Sequence, residues 1–254
     1  MIKTKLVTSG YAHYKPSITY RDTDVNSIEN EFRMLEIDRY APEKVNRFRR
    51  YGNGIIIPWE SIPQVHWIPP ITTADGIVLT GYDQGGNNPE HENIRYFNSL
   101  SDHAKDNDLL RNLILDDFSH TFWNNKSQEF PIYFGTHFVK LQSHAPYDAG
   151  ISSPDCFHQD GEPFTFGHLV YRSSNTDGGI NYIGRVSARD KSLTEVSDDE
   201  IVEEFTLHQF LETFAVFDPA VSHYVNPIYK ASGSIEVAER WMILIDFSTT
   251  RQNI

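Results

Sequence analysis

The second half of the chain constrains the fold most. Short segments rich in aromatic and β-branched residues follow one another there: FPIYFGTHFVKLQ (130–142), FTFGHLVY (164–171), INYIGRV (180–186), TFAVF (213–217) and RWMILIDF (240–247). Such residues fit a pleated, half-buried surface, and the turn signal NTDGG at 175–179 separates two of the segments. Upstream, Leu110, Leu113, Ile114, Phe118 and Phe122 recur at three- and four-residue spacing and predict a helix over about 101–123. Short strands after a helix imply a mainly β fold, a sandwich or barrel with α cladding. Residues 28–50 show helical spacing at Ile28, Phe32 and Leu35, broken before Pro42 and resumed at Val45 and Phe48. Residues 54–80 carry Pro58, Pro63, Pro69 and Pro70 and are expected to be extended or turned. The acidic run EVSDDEIVEE (195–204) reads as a solvated helix or loop face.

A chain of 254 residues with no internal repeat suits one barrel-type domain over 1–254. Its N-terminal helical and extended part runs to about 125, and its β core spans about 126–250. Hydrophobic residues make up 39% and charged residues 22%, as in globular proteins. The formal net charge of −13 argues against nucleic acid as a partner, because tracking phosphates needs a basic stripe. The densest basic cluster is only Arg47, Arg49 and Arg50. With Cys156 as its one cysteine, the chain forms no intramolecular disulfide and no cysteine-built zinc site. The opening MIKTKLVTSGYAHYKPS lacks the apolar run of a signal peptide, and no apolar stretch suffices to cross a membrane. A cytoplasmic location is therefore expected, and the glycosylation sequon Asn125-Lys126-Ser127 is taken as chance. A homodimer is compatible with an acidic all-β enzyme of this size.

The segment CFHQDGEPFTF holds His158 and Asp160 two apart. In an extended strand, residues i and i+2 point the same way, so an imidazole and a carboxylate can converge on one ion. His223, in VSHYVNP after the TFAVF strand, offers a third ligand. Two histidines and one carboxylate on one face, with three positions open, is the arrangement of non-haem Fe(II) oxygenases. A lone His-x-Asp among 11 histidines is a weak signal. Arg240 strengthens it: it opens the last apolar strand, sharing a face with Met242 and Leu244. If that face is internal, the buried guanidinium needs a carboxylate, which the distal end of 2-oxoglutarate supplies. The bland alternative is an arginine at a strand end that reaches solvent.

These residues carry a family resemblance. CFHQDGEPFTFGHLVYRSSNTDGGINYIG, then SHYVNPI and ERWMILIDF, resemble the bacterial 2-oxoglutarate/Fe(II)-dependent amino acid hydroxylases typified by L-isoleucine dioxygenase. Upstream, GTHFVKL and RYFNSLSD are similar too, so the resemblance covers about 94–247 and is strongest over 156–184. It implies a double-stranded β-helix (jelly-roll, cupin-like) core, with His158, Asp160 and His223 as iron ligands and Arg240 as the 2-oxoglutarate clamp. It implies Fe(II), 2-oxoglutarate and O2 as the reaction's requirements. The implied activity hydroxylates a C–H bond of a free L-amino acid, releasing succinate and CO2. A carboxylate at position 160 favours hydroxylation over halogenation. Position 242 is methionine rather than the serine or threonine common in 2-oxoglutarate enzymes, so the second partner of that carboxylate is unassigned. The N-terminal third and the insert 143–155 leave the substrate open.

A zwitterionic substrate needs a cation for its carboxylate and an anion or carbonyl for its ammonium. Arg47, Arg50 and Arg95 are the candidate cations, and Glu162, sharing strand parity with His158 and Asp160, is the candidate anion. Each has a structural salt bridge as its alternative. His168 shares the parity if the strand runs unbroken past Pro163, which would place it near 2-oxoglutarate. Otherwise it is a packed or hydrogen-bonded histidine, as His137 and His144 are read. Cys156 is read as a small buried hydrophobe, and Asp116 with His120 as a polar helix face. Two rival readings remain: a zinc or manganese hydrolase or isomerase on a cupin-like barrel, and a non-catalytic β-barrel binding module. No G-x-S-x-G, P-loop, G-x-G-x-x-G or H-E-x-x-H pattern is found.

Overall fold

A computed structural model describes residues 1–84, 94–123, 130–152 and 154–249. The sequon at 125–127 lies outside the described residues. The elements run α1 (Ile2–Ser9), β1 (Tyr11–Tyr14), α2 (Asp22–Arg33), β2 (Asn46–Ile56), β3 (His66–Trp67), β4 (Ile71–Thr72), β5 (Val78–Tyr82) and β6 (Arg95–Asn98). They continue with α3 (Asp102–Lys105), α4 (Asp108–His120), β7 (Ile132–Ser143), β8 (Phe164–Arg172), β9 (Thr176–Gly178), β10 (Ile180–Gly184) and β11 (Ile201–Thr206). Last come β12 (Thr213–Phe217), β13 (Ser222–Val225), β14 (Ile228–Lys230) and β15 (Ala238–Ser248).

A seven-stranded sheet in the order β1-β12-β8-β15-β7-β2-β3 forms the major layer. Facing it are β11-β10-β13 and the β14-β9 pair, giving the two-layered jelly roll; β4-β5-β6 is a separate small sheet. The alternation along β15 explains the layering. Trp241, Ile243, Ile245 and Phe247 share one core cluster with Phe32, Leu110, Leu113 and Ile114 of α2 and α4. Phe32 stacks at 4.8 Å on Phe138 and 5.4 Å on Trp241, which fixes α2 on the outer face. The alternate residue Met242 packs with Leu169, Val216 and Ile183 between the layers. The anticipated helix is present as α3 and α4, capped by the side chains of Ser101 and Asn107.

Two expectations are corrected. Residues 46–56 are not a resumed helix but strand β2, paired along its length with β7 from Asn46↔Gln142 to Ile56↔Ile132. The resumed helical spacing rested on Val45 and Phe48 alone, and eleven residues of ladder outweigh so weak a local preference. The acidic run at 195–204 forms two 3₁₀ turns and then the exposed edge strand β11. It is solvated as expected, although partly in a strand.

Candidate active site

The site is assembled where the two layers meet. His158 lies just before β8 and His223 on β13, and the two form an antiparallel bridge. Asp160 stands between their rings: its carboxylate oxygens are 3.5 Å from His158 Nε2 and 3.4 Å from His223 Nε2. One ligand atom from each of the three residues lies within 4.8 Å of the others, so the group can hold a metal ion. His158 Nδ1 lies 2.9 Å from the Cys156 carbonyl, which fixes Nδ1 as the protonated nitrogen and leaves Nε2 to face the site. Cys156 itself is half-buried, and its carbonyl faces the triad.

The loop carrying Asp160 is held from behind. Asp218 accepts the backbone N–H groups of Asp160 and Gly161 at 2.9 and 3.0 Å, and the Thr165 hydroxyl donates to Asp160 Oδ2 at 2.9 Å. Gly161 has φ +88°, so the chain reverses there before β8 begins. Burial works against the Asp160 carboxylate, yet the charge of His223 and the hydrogen bond with His158 keep its pKa below the usual range. Burial and the neighbouring His158 push His223 down to about 4. In His158 burial also disfavours the charged form, but Asp160 outweighs it and the pKa rises. One carboxylate thus carries the negative charge between two imidazoles.

The triad opens into a pocket lined by both layers. Arg240, Met242, Leu244 and Asp246, alternate residues in the middle of β15, all face it. Arg240 is 3% exposed, donates to Asn181 Oδ1 at 3.3 Å, and meets no carboxylate within ion-pair distance among the described residues. Burial, then the charge of nearby Arg172, lowers its pKa to about 9. A buried guanidinium beside another guanidinium is costly without an anion. The donor set therefore fits both groups: two imidazoles and a carboxylate for Fe(II), and a cationic end for the far carboxylate of 2-oxoglutarate. Asn181 is the polar neighbour of Arg240 on that wall.

The other expected residues divide. Arg47 and Arg95 line the pocket, but Arg47 is paired at 2.7 Å with Asp38. Arg50 points the other way, to Glu31 at 2.8 Å and Glu36 at 2.7 Å, because it has the opposite parity to Arg47 on β2. Glu162 is buried in the turn and does not line the pocket. His168 is on the helix side of the major sheet, 2.8 Å from Asp117 and 2.7 Å from Thr213 Oγ1. Its expected parity failed because the turn at Gly161 resets the alternation before Pro163. Among the lining residues not expected at the site are Arg49, named only in the basic cluster, His137, read only as structural, and Asp246 and Asn181, not named at all. Asp246 was signalled by its even spacing from Arg240, and Arg49 by its parity with Arg47 once residues 46–56 are read as a strand.

A family model described as 2OG-Fe dioxygenase matches residues 29–246. The chain belongs to this family, whose members use Fe(II), 2-oxoglutarate and O2. It is similar to an L-isoleucine-4-hydroxylase of Bacillus thuringiensis, 32% identical over 170 residues, which cover 66% of this chain and 61% of that relative. Among solved structures it resembles IDO from Bacillus thuringiensis at TM-score 0.72 and 22% identity, over 98% of this chain and 94% of that one. It also resembles a bsmA homolog from Methylobium petroleophilum PM1 at TM-score 0.74 and 15% identity, over 98% and 92%. These likenesses establish the jelly-roll core, and family membership selects the oxygenase over the hydrolase and binding-module readings. Among the described residues no helix is long and apolar enough to cross a membrane.

Proposed function

We propose that this chain is a cytoplasmic dioxygenase that hydroxylates a C–H bond of a free L-amino acid, with 2-oxoglutarate converted to succinate and CO2. The observation that carries this reading is the convergence of His158, Asp160 and His223 on one wall of a pocket whose other lining includes the buried Arg240. The 32% identity to an L-isoleucine-4-hydroxylase supports the amino acid as substrate class. In this reading His158, Asp160 and His223 hold the iron, and Arg240 and Asn181 bind the distal carboxylate of 2-oxoglutarate. When bound, the iron and 2-oxoglutarate supply the oxidising power for O2-dependent C–H hydroxylation. The protein's own part is placement and exclusion. Arg240 offers a fixed fork that sets the co-substrate's direction, the Thr165 hydroxyl and Asp218 hold Asp160 in place, and Met242, Leu244 and Phe214 keep the pocket wall apolar.

The test is to reconstitute the protein anaerobically with Fe(II), add 2-oxoglutarate and O2, and screen the proteinogenic L-amino acids for succinate release. A hydroxylated product formed in step with succinate is expected with at least one of them. Succinate formation that no amino acid stimulates, with no product of increased mass, would remove the substrate assignment while leaving the family membership intact.

A further inference from the structure

The pocket has a second cationic pole. On β2, Arg49 faces inward beside Val139, whose other neighbour on β15 is Met242, whereas Arg240 pairs with Leu141. Arg49 is thus two strands and two residues away from Arg240, about 10 Å across the sheet and about 7 Å along it. Arg49 is 8% exposed, and its Nε is buried with no hydrogen-bond partner among the described residues. Its guanidinium lies 4.3 Å over the Phe97 ring, and that of Arg95 lies 5.5 Å over the same ring. Asp38, the carboxylate that acts on Arg49 from nearby, is already engaged by Arg47 at 2.7 Å. Arg95 also donates to Gln84, but its charge beside Arg49 on one aromatic ring raises the cost of the Arg49 guanidinium, and an anion meeting Arg49 relieves that cost.

Opposite this pole is its complement. Asp246 is 5% exposed and meets no lysine or arginine within ion-pair distance among the described residues. Gly135 makes room for it, since a Cβ there would come within 2.6 Å of Asp246 Oδ2. His137 lies between the two: its Nδ1 is 2.7 Å from Arg49 Nη2, and its Nε2 is 3.4 Å from Asp246 Oδ2. An arginine neighbour that can only donate makes Nδ1 the acceptor, so Nε2 carries the proton and faces Asp246.

We propose that Arg49, with Arg95 beside it, receives the carboxylate of a zwitterionic substrate and that Asp246 receives its ammonium, His137 setting the gap between them. This rests on the amino acid reading above and names the groups that select for it. The co-substrate needs the Arg240 pole alone, so the Arg49 pole is left for the substrate. Anchored at both charged groups, the substrate presents only its side chain to the triad. An amine without a carboxylate, or an acid without an ammonium, satisfies one pole and leaves the other uncompensated.

Calorimetric titration of the anaerobic Fe(II)·2-oxoglutarate protein tests this with three probes: L-isoleucine, 2-methylbutylamine (no carboxylate) and 3-methylpentanoate (no ammonium). Arg49→Met is expected to weaken L-isoleucine and 3-methylpentanoate by about tenfold or more and to leave 2-methylbutylamine unchanged. Asp246→Asn should weaken L-isoleucine and 2-methylbutylamine but spare 3-methylpentanoate. Arg240→Met should act on 2-oxoglutarate instead. Arg49→Lys, which keeps the charge without the fork, should fall between wild type and Arg49→Met and covers the case in which the methionine variant does not fold. The subsite is overturned if Arg49→Met binds L-isoleucine as wild type does, or loses the amine as much as the acid. Amino acid turnover that persists in such a variant would sink the subsite alone. Wild-type protein that neither binds nor turns over any amino acid would sink the substrate class with it.

Discussion

His158 and His223 exchange both backbone hydrogen bonds, each N–H donating to the other's carbonyl at 3.0 Å. Two residues far apart in sequence are thereby held as a directly opposed pair, with their rings 4.2 Å apart between centroids. The ladder that closes the minor layer sets the relative placement of the two rings. Replacing either ring therefore removes a ligand without dismantling the bridge. His158→Ala, Asp160→Ala and His223→Ala should each lower Fe(II) affinity by more than the roughly 10–100-fold that loss of an outer-shell partner costs. Metal content after dialysis, read beside circular dichroism, checks this; a variant that folds and retains stoichiometric iron contradicts the assignment of its residue.

Asp218 does not line the pocket but accepts two backbone N–H groups of the loop that carries Asp160. Its removal deprives both half-buried hydrogen bonds of their acceptor and lets the loop relax. Asp218→Ala should weaken Fe(II) binding about 10–100-fold and cost about 1–3 kcal/mol of stability. Asp218→Asn, which keeps one acceptor oxygen, should recover part of both. Equal metal affinity in wild type and Asp218→Ala would show that the loop holds its shape without these bonds.

Arg240 should separate ligand binding from stability. Arg240→Met removes a buried cation that meets no carboxylate among the described residues, so the melting temperature should hold or rise. The same change should weaken 2-oxoglutarate on the order of 100-fold, the loss of two charge-assisted hydrogen bonds. Thermal melts with and without 2-oxoglutarate measure both. A variant stabilised by 2-oxoglutarate as strongly as wild type would move the clamp elsewhere.

His168 gives the opposite pattern. Sealed against Asp117 and Thr213 behind the major sheet, it ties α4 to β8 and β12. His168→Ala strands a buried carboxylate and should destabilise by about 3–5 kcal/mol, as for one partner of a buried ion pair. The affinity for 2-oxoglutarate should be unaffected in the protein that remains folded. A changed affinity at unchanged stability would reinstate His168 at the site.

The acidity of Asp246 gives the metal-free protein a pH signature. Burial, followed by the charge of Asp160, raises its pKa from 3.8 to about 7. The folded state then holds a proton that the unfolded chain has released. The stability this provides is complete below pH 3.8 and is lost as pH rises through about 7. Melts of metal-free wild type should fall across that window more steeply than those of Asp246→Asn; parallel curves would place the titration on another group.

What the sequence determined by itself was chemistry carried by residue type and short-range alternation. The aromatic and β-branched runs implied the β layers, His158 and Asp160 with His223 implied the metal, and the even spacing of Arg240, Met242 and Leu244 implied an inward face. Those features are local, because side-chain direction in a strand follows from the backbone period. Tertiary structure alone decided the rest. It showed that residues 46–56 form a strand, which turns Arg49 inward and Arg50 out to Glu31 and Glu36. It showed that the reversal at Gly161 sends His168 behind the sheet, and that Asp246 comes to lie beside His137. Parity holds only within an unbroken strand, and a buried charge finds its partner across strands that sequence spacing does not place side by side.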